Sequence, residues 1–181
     1  MKFKIFSMIG KSLENKGLVI AHGGNMSVRE GEKIFITRHG AVMGELKRRD
    51  IVQIGLDGFW KEASMEHPTH QSIYKKTSAR AIIHSHPPYT ILLSTLTDKI
   101  TPIDEEARII LGEVPVLKVE KKVCSEEVAE KAPLFLSNSK IVVVEAHGTF
   151  AIGDSLEEAF FNTLLLENTS RILILKRILE A

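Results

Sequence analysis

Cysteine is almost missing from this chain: its 181 residues hold one, Cys124. No intrachain disulfide can form, which fits a reducing compartment. Charge of one sign is missing too. Lys and Arg total 24 against 23 Asp and Glu, a formal +1. That balance provides no general field for nucleic acid or an anionic membrane, so neither is expected as a partner. Any bound anion must be held by a local site. No apolar run approaches the roughly 18 residues of a membrane helix. The segment Met1-Lys2-Phe3-Lys4-Ile5-Phe6 lacks the long apolar core of a signal peptide. A soluble cytoplasmic protein is the expectation. Low-complexity tracts, Ser/Pro linkers and fixed repeats are absent, so residues 1–181 read as one domain. With 44% apolar and 26% charged residues the mixture is globular. Histidine is the residue present in number, at seven.

Phe3, Phe6, Ile9 and Leu13 have helical spacing over residues 3–16, and Gly17 punctuates. Residues 33–37 and 51–54 read as strands. Asp57-Gly58 reads as a hairpin turn with Phe59 and Trp60 beyond it. Pro68 fits the first turn of a helix over about 67–77. Residues 81–86 form a short strand, ended by Pro87-Pro88, which opens a helix through Leu96. Residues 114–117 read as a strand at an edge or a strand end because of Pro115. Ser125 caps a helix to Phe135, with Glu126 and Glu127 in its first turn. Residues 141–144 are a β-branched strand that Gly148 breaks and 149–152 continue. Asp154 or Ser155 caps a final helix to about 179. Strands and helices mix without regular alternation, which predicts an α+β fold with a largely antiparallel sheet covered by helices.

His84-Ser85-His86 on a predicted strand carries the strongest chemical signal. Side chains two apart share a face of a strand, so two imidazoles can converge on one cation. The plainer alternative is two edge histidines bonding locally. His147 ends the apolar strand 141–144 before Gly148, where a sheet delivers ligands to a cleft; alternatively it is a turn histidine. Three histidines with an open fourth position form a catalytic, not a structural, zinc arrangement. Glu66, just before the helix at 67, reads as a general base beside a metal, or as an exposed acid at a helix N-terminus. Glu66-His67-x-x-His70 has the wrong order for either zinc-protease motif. Gly23-Gly24-Asn25-Met26-Ser27 is an anion nest or a plain turn. It matches neither the dinucleotide fingerprint nor the P-loop.

Five segments occur together: Gly24-Asn25-Met26-Ser27-Val28-Arg29, Ile36-Thr37-Arg38-His39-Gly40, Ser64-Met65-Glu66, His84-Ser85-His86-Pro87 and Ala146-His147-Gly148. In this order they resemble the class II aldolase/adducin family, from Gly17 to about Arg171. The resemblance implies an α/β/α layered fold around an antiparallel sheet, in a homotetramer with active sites at subunit contacts. It implies that His84, His86 and His147 hold Zn2+ or another divalent metal. Glu66 would ligate the resting ion and serve as base, and Gly24, Asn25, His39, Gly40, Ser64 and Met65 would cradle a substrate phosphate. The implied reaction is reversible cleavage of a ketose 1-phosphate, such as L-fuculose 1-phosphate. The products are dihydroxyacetone phosphate and an aldehyde such as L-lactaldehyde, through a metal-stabilised enediolate. The same site would also suit a pentulose-phosphate 4-epimerase, a sugar-phosphate dehydratase or a decarboxylase, and a non-catalytic interaction domain is the remaining alternative. His39 and Met65 stand where the family's aldolases carry hydroxyl residues. The family's tyrosine acid has no evident match in Tyr74 or Tyr89, which leaves Glu105, Glu106 or water to protonate.

Overall fold

In a computed structural model, which describes residues 2–180, α1 (Lys2–Asn15) buries Phe6, Ile9 and Leu13 on one face. Gly17 adopts φ +68°, and the Leu18 N–H reaches back to the Leu13 carbonyl, closing the helix. Then β1 (Asn25–Glu30), β2 (Lys33–Thr37) and β3 (Ile51–Gly55) form an antiparallel meander. After α2 (His67–Lys76), β4 (Ala81–Ser85) returns to pair antiparallel with β1. Next come α3 (Pro88–Ser94), the two-residue β5 (Lys99–Ile100), α4 (Glu105–Ile110), β6 (Val114–Leu117) and α5 (Glu126–Leu136). The hairpin β7 (Ile141–Val144) and β8 (Gly148–Gly153) precedes α6 (Leu156–Glu180).

Among the described residues the eight strands make one sheet, ordered β3-β2-β1-β4-β8-β7-β6-β5. All pairs are antiparallel except β6–β7. Strand alternation sorts the side chains into two cores. Met26, Ala81, Ile83, Ile141, Val143 and Ala151 pack with α1, α3, α4 and α6 on one face. Ile34, Ile36, Ile82, Val142, Val144 and Phe150 pack with α2 and α5 on the other. This is the mostly antiparallel, helix-covered sheet that the sequence predicts, in the α/β/α layering that the family resemblance implies.

Several local expectations are met in detail. Pro68 lies in the first turn of α2, and Ser125 Oγ accepts the N–H groups of Glu127 and Val128. Ser155, rather than Asp154, caps α6 by accepting the Glu158 N–H. Pro115 is tolerated next to the sheet's edge, where only β5 covers it. Two readings need correction. Residues 149–152 do not continue the strand before Gly148: the chain reverses at Glu145–His147, and β8 runs back along β7. Asp57-Gly58 does turn, with Gly58 at φ +87°, but no return strand follows. The Trp60 indole instead donates to the Asp57 carbonyl, and the chain proceeds to a single bridge between Ala63 and Arg38.

Candidate metal centre

The register of the central strands gathers the site. Asn25 opens β1 opposite His84 near the end of β4, and Ser85 lies opposite Thr149 at the start of β8. Three segments distant in sequence therefore end side by side. His84 is on the face of Ile82 and Phe150, and its ring stacks on Phe150 with centroids 4.5 Å apart. His86 lies just beyond the strand, and its N–H is held by the Leu18 carbonyl. His147 sits in the β7–β8 turn after Ala146, whose φ of +53° is unusual for a residue with a side chain. Gly148 is required there by space. A Cβ would lie 2.4 Å from the Ser85 carbonyl oxygen and 2.7 Å from His86 Cδ2.

One ring nitrogen from each of His84, His86 and His147 lies within 4.8 Å of the others. The His84 tautomer is fixed: Nδ1 donates to the Thr149 carbonyl at 3.0 Å, so Nε2 carries the lone pair. That Nε2 is 3.1 Å from His86 Nε2. Two nitrogens bound to one tetrahedral zinc stand about 3.4 Å apart. His147 Nδ1 is buried with no hydrogen-bond partner among the described residues. Burial, reinforced by repulsion from His86 and His147, holds His84 well below the ordinary imidazole pKa. Burial and His147 bring His86 down to about 4, and burial also lowers His147. All three are neutral near pH 7, the form that binds metals. The donor set fits a divalent cation.

Glu66 is buried at the start of α2 in the same cleft. Its Oε1 accepts the Cys124 N–H at 2.9 Å, and its Oε2 accepts the Thr69 hydroxyl at 3.3 Å. The carboxylate is not part of the three-imidazole cluster. The cleft, about 180 Å³, is also lined by Gly24, Asn25, His39, Gly40, Ser64 and Met65. Asn25 Oδ1 is buried without a partner among the described residues. Two N–H groups of the expected cradle are already used: His39 donates to the Glu62 carbonyl, and Ser64 to the Thr37 carbonyl. Met65 is exposed, and its side chain offers no hydrogen-bond donor. A larger groove of about 920 Å³, between Phe3, Val28, Phe35 and Leu156, holds no histidine or cysteine.

Known proteins share this architecture. Residues 6–174 match the model of the class II aldolase and adducin N-terminal domain. The chain belongs to the class II aldolase and adducin family. It is 30% identical to an L-fuculose phosphate aldolase of Methanocaldococcus jannaschii, over 99% of both chains. The crystal structure of L-fuculose-1-phosphate aldolase from Thermus thermophilus superposes with a TM-score of 0.96 at 31% identity, covering 98% of this chain and 95% of that one. A methylthioribulose-1-phosphate dehydratase of Acidiphilium cryptum is 28% identical over 88% of this chain and 83% of its own. The chain is thus an enzyme of the class II aldolase type, from a metal-dependent family, with a three-histidine cluster suited to an ion. Among the described residues, no helix is long and apolar enough to cross a membrane.

Other residues fall outside or beyond the sequence reading. His67 is spent on structure, its Nδ1 donating to the Ser64 carbonyl and its Nε2 accepting the Trp60 N–H. His70 bonds Ser27 beneath the sheet. Neither belongs to the cluster of His84, His86 and His147. Tyr74 is fully buried, Tyr89 packs under Arg171, and Glu105 pairs with Arg108. None of these, nor Glu106, lines the cleft. Arg38, His22 and Cys124 do line it, and the sequence reading gave none of them a role. The His22 ring donates to the Gly40 carbonyl, tying two loops of the cleft together. Arg38 is exposed at the rim, and no ion pair engages its guanidinium among the described residues. Ala21, Cys124 and Ala146 all have positive φ, and each sits in or beside a cleft-lining segment.

Proposed function

We propose that this chain is a zinc-dependent aldolase reversibly cleaving a ketose 1-phosphate of the L-fuculose 1-phosphate type. The products are dihydroxyacetone phosphate and an aldehyde such as L-lactaldehyde. We further propose that residues 1–181 act as one domain, in a cytoplasmic homotetramer with sites at subunit contacts. The observation that carries this reading is three neutral imidazoles around one point, with a buried carboxylate in the same small cleft.

His84, His86 and His147 would hold the ion. When bound, a divalent ion supplies Lewis acidity for negative charge developing on carbonyl oxygen. Glu66 moves the proton at C3 of the three-carbon fragment. Its hydrogen bonds from Cys124 and Thr69 orient the carboxylate, and oxygen lone pairs remain for a proton or for the resting ion. Gly24, Asn25, His39, Gly40, Ser64 and Met65 line the phosphate end. Arg38 supplies the positive charge that a cleft poor in hydroxyls lacks. Holding the phosphate fixes C3 against the base.

Incubating the enzyme with dihydroxyacetone phosphate and a panel of aldehydes, with and without chelator, tests the reading. Carbon–carbon bond formation that chelation abolishes and zinc restores is expected. Turnover that survives metal removal would overturn it. The dehydratase relative supports a second reading, loss of water from a sugar phosphate at the same site. Product analysis separates the two.

A further inference from the structure

His86 follows β4 and His147 lies in the β7–β8 turn, and α3 spans the space between these two segments. At the first turn of α3, Glu167 of α6 accepts the N–H groups of Tyr89 and Thr90 at 3.0 and 2.9 Å. It also accepts the Thr90 hydroxyl at 2.8 Å, and Thr90 Oγ1 lies 3.1 Å from Ser170 Oγ. These bonds pin the chain three and four residues after His86. At the last residue of α3, Ser94 Oγ donates to the Ile91 carbonyl at 2.7 Å and accepts the Ala146 N–H at 3.0 Å. Ala146 is the positive-φ residue before His147. Ser94, Thr90 and Ser170 are all fully buried.

We infer that Ser94 is a positioning residue of the metal centre, using α3 as a spacer fixed by Glu167 to set His147 against the His84–His86 pair. The physical reason is local. A residue with a side chain rests in the left-handed region only if its surroundings hold it there. The hydroxyl of Ser94 satisfies the one N–H that this turn directs at α3. Without it, a buried donor is orphaned and the turn relaxes. His147 then shifts relative to the pair, because the Ala146 N–H is the bond that ties this turn to α3.

This inference rests on the proposed three-histidine metal site, but its test reads zinc affinity rather than turnover. Ser94→Ala removes the acceptor. Competition between protein and a chromophoric chelator for Zn2+ is expected to show affinity lowered at least about 10-fold, as for lost partners of metal-bound ligands. The d–d absorption of bound Co2+ is expected to change shape, reporting altered ligand geometry. Ser94→Thr keeps the oxygen and is expected to recover affinity. Thr163→Ala removes an equally buried hydroxyl that donates to the Ala159 carbonyl within α6, and is expected to bind zinc like the parent. Glu167→Gln loosens the other end of the spacer and is expected to weaken zinc binding in the same direction, which keeps the test open should Ser94→Ala fold poorly. Parental affinity in both Ser94→Ala and Glu167→Gln would overturn the inference, as would an equal loss in Thr163→Ala. A parent protein that binds no zinc would overturn it as well. A parent that binds zinc yet catalyses no aldol reaction would sink the functional reading alone.

Discussion

Replacing Gly148 with alanine tests the packing of the site most directly. The added Cβ would sit 2.4 Å from the Ser85 carbonyl oxygen, 2.7 Å from His86 Cδ2 and 3.3 Å from His84 Cε1. Carbon–oxygen contacts are comfortable from about 3.3 Å, so β8 must retreat from the end of β4 by about 0.9 Å. The obstructing oxygen belongs to the backbone of a central strand and cannot rotate aside. Forced overpacking of this kind costs about 1–3 kcal/mol. Because Gly148 follows His147, the same retreat carries one imidazole away from the other two, and zinc affinity is expected to fall by about 10–100-fold. Urea unfolding of the metal-free protein measures the first effect, and chelator competition the second. Gly55→Ala is the control. It lies in an ordinary strand, its Cβ would meet nothing nearer than 3.6 Å, and its φ is not left-handed, so it should leave both quantities near the parent's. Parental stability and zinc affinity in Gly148→Ala would refute the argument that closeness, not backbone freedom, requires glycine here.

Glu66→Gln keeps the side chain's shape and an oxygen for the Cys124 N–H, so the three imidazoles should still load with zinc while kcat falls by about 10²–10⁴; undiminished kcat in a zinc-loaded variant would reject Glu66 as the base. Arg38→Ala should raise KM for a phosphorylated substrate about 10-fold or more with little change in kcat, and an unchanged KM would remove Arg38 from phosphate recognition. Burial, aided by nearby His67, holds His70 down to about 3, whereas in the unfolded chain its imidazole takes a proton near pH 6.5. Between those values the unfolded state binds a proton that the folded state refuses, so stability is lost as pH falls through 6.5. Between pH 6.5 and 5, urea unfolding with chelator present should show the parent losing about 1.6 kcal/mol more than His70→Gln. Equal losses would show that His70 is not what makes acid destabilising.

The parts of the fold legible in the sequence were those where one short-range signal decides the outcome. Phe6, Ile9 and Leu13 can bury together only on a helix, and Ile141–Val144 is too β-branched and too uniformly apolar to be anything but an interior strand. The strand Asn25–Glu30 escaped because it begins in a glycine-rich segment and buries polar side chains. Asn25 faces the cleft and Ser27 bonds His70 and Tyr74, so only Met26 and Val28 carry the apolar alternation, too short a signal beside the glycines. The short β5 and α4 depend on contacts with neighbours rather than on their own periodicity. The same distinction governs the site. His84 and His86 could be paired by strand geometry alone, since a period of two is local. Bringing His147 to them requires the β4–β8 register and the turn at Ala146, which only the assembled sheet specifies. Arg38 and Ser94 were invisible for a stronger reason. A lone arginine in a loop and a lone serine ending a seven-residue helix have no distinctive spacing, and each acquires meaning only from what lies opposite it. Candidate ligands are therefore readable from residue type, whereas what gathers them and what holds them in place are readable only from the folded chain.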